Sequence, residues 1–203
     1  MPFPHAPSVA KSSAVSSIRE GRRLETRGRL FDAALAEIAR HGLAAADVAS
    51  IAASAGVVRG TFYFHFPTKE HVLIELERNE EARIVSEIGE ANTDLASVLS
   101  LLVRHVLDAQ SRLGAVVFQD MLGLHFSSAR PVEDELGQHP LAEYLINVIS
   151  HVQAIGEIAP DSNAAELATF FLTGLFALLA TGIDDDALLS RYVTTIVKGM
   201  ENR

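Results

Sequence analysis

Cysteine is absent from this chain of 203 residues, and long apolar runs are absent as well. Without cysteine there can be no disulfide framework, no thiolate zinc site and no thiol nucleophile. No uncharged apolar run reaches the roughly 18 residues that suggest a membrane span. The N-terminal segment also lacks the basic and apolar regions of a secretory signal. We therefore expect a cytoplasmic protein without a membrane partner.

Basic residues are scarce, since 17 lysines and arginines face 26 aspartates and glutamates and the net charge is −9. This balance argues against a protein that coats nucleic acid indiscriminately. The charge is uneven, however, because residues 1–70 carry nine bases and six acids, whereas the remainder carries eight bases and 20 acids. A mildly basic N-terminal third predicts one end that faces an anion, although ordinary surface variation gives the same numbers.

Hydrophobic residues make up 48 % of the chain and recur at helical spacing, with no strand alternation of useful length. The sequence therefore predicts an all-α fold of about nine helices. Residues 1–18, rich in proline, serine and alanine, are expected to form a flexible tail. An N-terminal domain of three helices is expected over residues 19–68, and a larger helical domain over residues 69–203.

The segment from Asp47 to Lys69 is the most informative part of the sequence. Two helices of about two turns are predicted there, the first capped by Asp47 and ended at Gly56. Neither helix would be stable alone, so the two must pack on each other and on the preceding helix. This arrangement is typical of a helix-turn-helix, and an ordinary αα-hairpin is the alternative.

The second helix of this pair separates its residues by chemistry. Val58, Phe62 and Phe66 are spaced four apart and are predicted to face inward. The candidate DNA contacts are Arg59, Gly60, Thr61, Tyr63, His65 and Lys69. Arginine can pair with guanine edges or phosphate, glycine allows close approach, and the other side chains can donate to phosphate. Lys69 opposes the helix dipole at a helix N-terminus, a conflict that phosphate binding would resolve.

The run IAASAGVVRGTFYFHFPTKEHVL resembles the DNA-binding signature of the tetracycline-repressor (TetR) family of bacterial transcription regulators. The resemblance covers about residues 22–75 and includes Ala55-Gly56-Val57, Gly60-Thr61-Phe62-Tyr63, His65-Phe66 and Lys69. Val58 departs from the family, which often carries a capping serine there. By typical capping energies the departure costs about 1 kcal/mol of helix stability.

The resemblance implies a homodimer whose two recognition helices read a palindromic operator in double-stranded DNA. It also implies that the C-terminal domain is a ligand-binding and dimerisation domain in which a small molecule binds and releases the DNA. Repression is the family default, and neither a cofactor nor a metal is expected. Two alternatives stay open: a helix-turn-helix DNA-binding protein that needs no ligand, and a helical enzyme. The second lacks a nucleophile elbow, a glycine-rich phosphate loop or a spaced set of metal ligands.

Two C-terminal helices are apolar over more than one face, which predicts partners on several sides. The candidate dimer-interface residues are Phe170, Gly174, Leu175, Leu178, Leu189, Tyr192, Val193 and Ile196. A fully buried central helix in a monomer is the alternative for the same pattern.

The sixth and seventh predicted helices carry apolar faces with a few polar groups, which suits a hydrophobic or aromatic ligand. The candidate ligand-binding residues are Phe118, Met121, Leu122, His125, Tyr144, Asn147, His151 and Phe171. A filled core explains the same spacing equally well.

Overall fold

The computed structural model describes residues 9–89, 94–131, 134 and 139–200. Within these ranges the chain forms nine α-helices and no β-strand, which confirms the predicted all-α class. The helices are α1 (Val9–Ala45), α2 (Val48–Ser54), α3 (Arg59–His65), α4 (Glu70–Ile88), α5 (Leu95–Leu113), α6 (Ala115–Leu124), α7 (Pro140–Ala154), α8 (Ala164–Ala180) and α9 (Asp186–Met200). In the part of the chain so described, no helix has the length and apolar character needed to cross a membrane.

The chain divides into two compact units, Met1–Lys69 and Glu70–Arg203. Residues 9–18, which were expected in a flexible tail, are helical because α1 begins at Val9. No proline or glycine falls between Ser8 and Glu20, and extending a helix costs far less than starting one. The rest of the predicted tail, residues 1–8, lies outside the described residues.

The first unit is built around one face of α1. Leu30, Ala34 and Ile38 are fully buried there, and Ile51 of α2 and Phe62 of α3 are buried as completely. The helical conformation of α1 is interrupted at Gly42, whose φ of 76° lies in the left-handed region that glycine tolerates. This break lets the chain turn into the short helices.

The second unit consists of α4 to α9. Helix α7 packs against α8 and α4, α5 packs against α9, and α6 packs against α8. The core is mainly aliphatic, with Phe118 and Phe171 among its largest fully buried side chains. Glu77, Glu81 and His139 are polar exceptions in this core.

Candidate functional site

The short turn between α2 and α3 fixes the geometry of the N-terminal pair. The Asp47 carboxylate accepts a hydrogen bond from the Ser50 amide at 2.9 Å and so caps α2 as predicted. Gly56 adopts a φ of 69°, and the Val57 amide donates to the Ala52 carbonyl at 2.9 Å. The Asp47 bond satisfies a free amide at the start of α2, and the Val57 bond satisfies a carbonyl at its end and directs the chain into α3.

The inner side of α3 is held by aromatic packing. Phe62 and Phe66 are both fully buried, with ring centroids 5.8 Å apart. The Arg27 guanidinium lies 4.1 Å from the centroid of the Phe66 ring and donates to the His65 carbonyl. Arg27 therefore stabilises the end of α3 through a cation–π contact and a carbonyl cap.

The outer side of α3 presents mixed chemistry to solvent. Arg59, Gly60 and Tyr63 are exposed, and Arg59 Nη2 donates to Tyr63 Oη at 3.2 Å. Thr61 is half-buried at the edge of this face. Apart from the neighbouring residues and backbone of α3 itself, no atom lies within 4 Å of the position that a Cβ at Gly60 would occupy, so packing against the rest of the chain does not require glycine there.

Two apolar side chains also lie on this outer side, each 75 % exposed: Val58 and Phe64. The prediction that Val58 faces inward is wrong. Val58 precedes α3 with an extended backbone, so helical spacing does not apply to it, and its side chain makes no capping bond. Sequence reasoning missed Phe64, although a residue two positions after buried Phe62 falls on the opposite face of a helix.

His65 does not join the exposed group, because it is only 8 % exposed. Nδ1 of His65 has no hydrogen-bond partner among the described residues. Burial lowers the pKa of His65 below 6.5, and the charges of Arg27 and Arg23 add to that effect. A neutral, buried imidazole is a poor phosphate donor, so this candidate contact is not offered to an incoming ligand.

Lys69 is engaged inside the first unit. Its Nζ donates to the carbonyl of Ala44 at 2.8 Å and to that of Ala46 at 3.3 Å. Ala44 is in the last turn of α1 and Ala46 directly follows the helix, so a cation is favourable there. The conflict with the helix dipole that the sequence suggests is thus resolved within the protein, without a phosphate.

Three of the predicted ligand-binding residues, Phe118, Met121 and Leu122, line a cavity in the second unit. The other residues around it are Glu77, Glu80, Glu81, Ile84, Val106, Ala109, Leu141 and Phe176. The cavity volume is about 20 Å³. That is room for about one water molecule, so this part of the core is nearly filled.

The predicted face of α7 is the wrong one. Asn147 and His151 are exposed, and Tyr144 is half-buried with its hydroxyl 3.4 Å from the Gly89 carbonyl. Helix α7 instead buries a more apolar stripe, consisting of Leu141, Ala142, Leu145, Ile149 and Val152. Aliphatic residues compete better than tyrosine, asparagine and histidine for the core because burial removes more apolar area from water. Phe171 is buried too, but it stacks on Tyr192 rather than lining the cavity.

A buried ionic cluster adjoins the cavity. The His139 imidazole is fully buried, with Nδ1 3.1 Å from Glu81 Oε1 and Nε2 2.9 Å from Asp134 Oδ1. Burial opposes a charge on His139, but the bond to Glu81 and the carboxylates of Glu81, Glu77 and Asp134 raise its pKa to about 9. Burial also raises the pKa of Glu81.

Basic side chains complete this ionic cluster. The Asp134 carboxylate lies 2.7 Å from Arg78 Nη2 and 2.5 Å from Arg130 Nη2. Burial alone would raise the pKa of Asp134, but His139 and the two arginines lower it overall. His125, which was expected at a ligand site, contacts the Glu77 carboxylate. The sequence analysis did not predict the other residues of this ionic cluster, because they lie on separate elements and meet only in the folded chain.

Several predicted dimer-interface residues are covered by their own chain. Leu175, Leu189 and Val193 are at most 3 % exposed, so they cannot form an exposed contact face, and this part of the prediction is wrong. Gly174 faces Tyr192 of the same chain, since a Cβ there would lie 2.3 Å from Tyr192 Oη. The Tyr192 hydroxyl donates to the Phe171 carbonyl at 2.7 Å.

The remaining three interface candidates stay accessible to a partner. Phe170 is 63 % exposed on α8. Leu178 of α8 and Ile196 of α9 are half-buried. Helices α8 and α9 therefore bury most of their apolar surface in the core, and only a narrower apolar strip stays exposed.

Two short helices joined by a glycine turn, with an exposed outer face of polar and apolar side chains on the second, define a helix-turn-helix protein. Residues 30–76 match the model of the family described as bacterial regulatory proteins, tetR family. The repressor LfrR of Mycolicibacterium smegmatis is 35 % identical over 101 residues, which are 50 % of this chain and 52 % of that protein. Through the match over residues 30–76 and these relatives, the comparisons support membership of the TetR family of bacterial regulatory proteins.

Solved structures resemble most of the chain at low sequence identity. RolR in complex with resorcinol has a TM-score of 0.69 at 20 % identity, over 89 % of this chain and 90 % of that one. Thermus thermophilus FadR in complex with lauroyl-CoA has a TM-score of 0.68 at 22 % identity, over 87 % and 96 %. At this identity the likeness shows the fold. In sequence, the chain spans about half or less of the length of the curated relatives that it matches.

Proposed function

We propose that the chain is a homodimeric transcription regulator of the bacterial cytoplasm, a repressor that a small hydrophobic or aromatic ligand releases from a palindromic operator. The observation that carries the proposal is the outer face of α3, where Arg59, Gly60 and Tyr63 are exposed together. The names of the relatives, which are regulators and repressors, also support a regulatory rather than an enzymatic role.

In the proposed complex, α3 enters the major groove. Arg59 reads base edges, because a guanidinium can bond a guanine through two parallel hydrogen bonds. Its bond to Tyr63 Oη in the free protein holds it on the outer face. Tyr63 donates to a phosphate, Thr61 lies at the edge of the contact, and Gly60 admits the backbone of the duplex. His65 and Lys69 support α3 from inside the unit.

The experiment that tests DNA recognition is selection of genomic DNA fragments by the purified protein at near-physiological salt, followed by sequencing. An enriched palindrome is the expected result, because two identical readers give a two-fold symmetric site. Arg59→Ala should relax sequence preference, whereas Tyr63→Ala should weaken binding to every sequence and flatten its salt dependence. Retention without any motif contradicts specific regulation.

Ligand release is the second half of the proposal. The supporting observation is the cavity lined by Phe118, Met121 and Leu122, beside the carboxylates of Glu77 and Glu81. Because its volume is only about 20 Å³, a ligand must open the surrounding helices as it binds. RolR and FadR, which share the fold, are described with resorcinol and lauroyl-CoA bound. Reciprocity supplies the test, since operator DNA must weaken ligand binding by the factor by which ligand weakens DNA binding.

The small cavity favours a second candidate function, a helix-turn-helix DNA-binding protein that responds to no ligand. A thermal-shift screen of apolar and aromatic compounds separates the two, because a compound that binds the folded state raises the melting temperature. Met121→Ala, which enlarges the cavity, is the matched variant. Compounds that stabilise the wild type support a ligand-responsive regulator. Compounds that stabilise only Met121→Ala support a solid core and a ligand-independent regulator.

A further inference from the structure

The carboxylates of Glu77 and Asp134 and the imidazole of His139 converge in the core of the second unit. One ligand atom from each lies within 4.8 Å of the other two. The side chains of all three are at most 4 % exposed. Metal–ligand bonds of about 2.1 Å place neighbouring ligand atoms about 3–4 Å apart, so small side-chain movements would close these donors around one ion.

The Glu77 carboxylate is the second sign of a ligand at this point. It is buried, and neither of its oxygens has a hydrogen-bond partner among the described residues. Its ionic neighbours are His125, which contacts Oε1, His139, whose Nδ1 lies 3.8 Å from Oε1, and Arg130, which lies 3.5 Å from Oε2. A buried carboxylate normally accepts several hydrogen bonds. Because the charged neighbours of Glu77 do not form aligned hydrogen bonds with it, its carboxylate can accept a further cation.

Glu81 positions the imidazole in the way that metal sites require. Its Oε1 lies 3.1 Å from His139 Nδ1, and its Oε2 accepts the Leu141 amide at 3.3 Å. A carboxylate bonded to one ring nitrogen fixes the tautomer and leaves the other nitrogen as the donor. That other nitrogen, Nε2, is the one directed at Asp134.

We infer that Glu77, Asp134 and His139 form a binding site for a divalent transition-metal ion, with His125 as a fourth ligand. Imidazole nitrogen with carboxylate oxygen, and no sulfur, is a donor set that suits zinc, iron or nickel. The ligands come from α4, from the end of α6, from the connection to α7 and from the start of α7. An ion there would fasten four parts of the second unit to one another.

Arg130 competes with the ion for the same oxygens. Its Nη2 lies 2.5 Å from Asp134 Oδ2, 3.5 Å from Glu77 Oε2 and 3.4 Å from His139 Nε2. A guanidinium and a metal ion cannot share these positions, because like charges at such distances repel. Binding of the ion must therefore displace the Arg130 side chain, which is 12 % exposed and lies at the edge of the cluster. Neutralising Arg130 should tighten metal binding, and neutralising a ligand should weaken it.

The test is calorimetric titration of the full chain, produced without a histidine tag, with Zn²⁺. We expect one ion per chain in the wild type and tighter binding in Arg130→Gln. Asp134→Asn and His139→Gln should weaken binding at least tenfold, and Glu81→Gln by about 10–100-fold. His105→Gln is the matched control, because His105 Nδ1 pairs with Glu87 Oε2 at 3.1 Å elsewhere in the same unit. It should leave the affinity unchanged.

The visible absorption of bound Co²⁺ tests metal ligation directly, because residues that only support the fold would not produce it. Co²⁺ bound to this donor set should show visible absorption bands in the wild type that Asp134→Asn removes. Asp134 is the ligand least tied to a helix, so its variant should fold as the wild type does in circular dichroism. A folded Asp134→Asn protein with wild-type zinc affinity and cobalt bands overturns the inference. So does the absence of zinc binding in both the wild type and Arg130→Gln.

Discussion

At the scale of single residues, a substitution at Gly60 should change the stability of the fold and the affinity for DNA in opposite directions. Gly60→Ala should raise the free energy of unfolding by about 0.5–1 kcal/mol, because alanine loses less backbone entropy in a helix. Nothing within the chain obstructs the added methyl group. The same methyl should weaken operator binding, since it stands where the duplex backbone approaches. Urea denaturation and gel-shift titration measure the two effects.

Gly123 of α6 is the matched control for this substitution, because it is helical, exposed and equally open around its Cβ position. Gly123→Ala should stabilise the protein by a similar amount and leave DNA affinity unchanged. Operator binding by Gly60→Ala at wild-type strength would mean that DNA does not approach α3 closely at this residue.

His65 gives the first unit a pH dependence with a definite sign. Its pKa is lowered in the folded protein by burial and by the charges of Arg27 and Arg23. The stability that the neutral ring contributes is therefore present above pH 6.5, the ordinary value, and is lost as the pH falls through the lowered pKa. The free energy of unfolding should drop between about pH 7 and pH 5 in the wild type.

His65→Gln is the comparison for that pH series, since glutamine is polar and does not titrate. Its unfolding free energy should be less sensitive to pH over the same range. Equal pH dependence in both proteins would assign the acid sensitivity to other groups.

At the scale of helices, α8 and α9 approach closely where Gly174 faces Tyr192. Gly174→Ala would force the Tyr192 hydroxyl away from a position 2.3 Å from the new Cβ and break its bond to the Phe171 carbonyl. We expect a loss of about 1–3 kcal/mol in unfolding free energy, the usual cost of overpacking a core. Chemical denaturation measures it.

A double-mutant cycle identifies the cause of that loss. Tyr192→Phe removes the hydroxyl that meets the new methyl group, so Gly174→Ala should cost less in the Tyr192→Phe background than in the wild type. Strictly additive losses would show that the clash lies elsewhere.

Sequence reasoning located the helices because their apolar spacing and caps are local signals. The cap at Asp47 needed only neighbouring residues. The start of α1 was missed because the serine-rich segment before Glu20 is compatible with a helix as well as with a loop. The exposed position of Val58 was missed because valine can be helical or extended at the end of a turn. The ionic cluster could not be predicted, since its seven side chains are spread from Glu77 to His139 and meet only through packing.

The candidate DNA face was predictable for a related reason. Arg59, Gly60 and Tyr63 fall on one side of a short helix, so spacing alone places them together. Lys69 and His65 were also predicted to contact DNA, but the bonds of Lys69 to the carbonyls of residues 44 and 46 and the burial of His65 decide their positions. Long-range contacts of this kind leave no periodic trace in the sequence.

At the scale of the whole molecule, a palindromic operator is bound by two copies of α3, so two chains are required. Phe170 is the largest exposed apolar side chain on the two helices that were expected to form the interface. Phe170→Glu should raise the dimer dissociation constant by about tenfold or more, because a buried charge without a partner is costly at an interface. Analytical ultracentrifugation over a concentration series measures this constant.

Ile155→Glu is the control for Phe170→Glu, since Ile155 is exposed to a similar extent, 59 % against 63 %. It should leave both dimerisation and operator affinity as in the wild type. If both variants dimerise normally, the interface involves neither residue, and a dimer centred on Phe170 of α8 is wrong.

The bonds of Arg27 and Lys69 to backbone carbonyls have a consequence for the salt dependence of DNA binding. Both cations are used within the first unit, so neither adds to the count of neutralised phosphates that counterion release measures. Each phosphate contact contributes about 0.9 to the slope of log affinity against log salt concentration. The slope should thus report fewer contacts than the nine basic residues among the first 70 suggest. Discrimination between operators would then depend more on α3 than on charge.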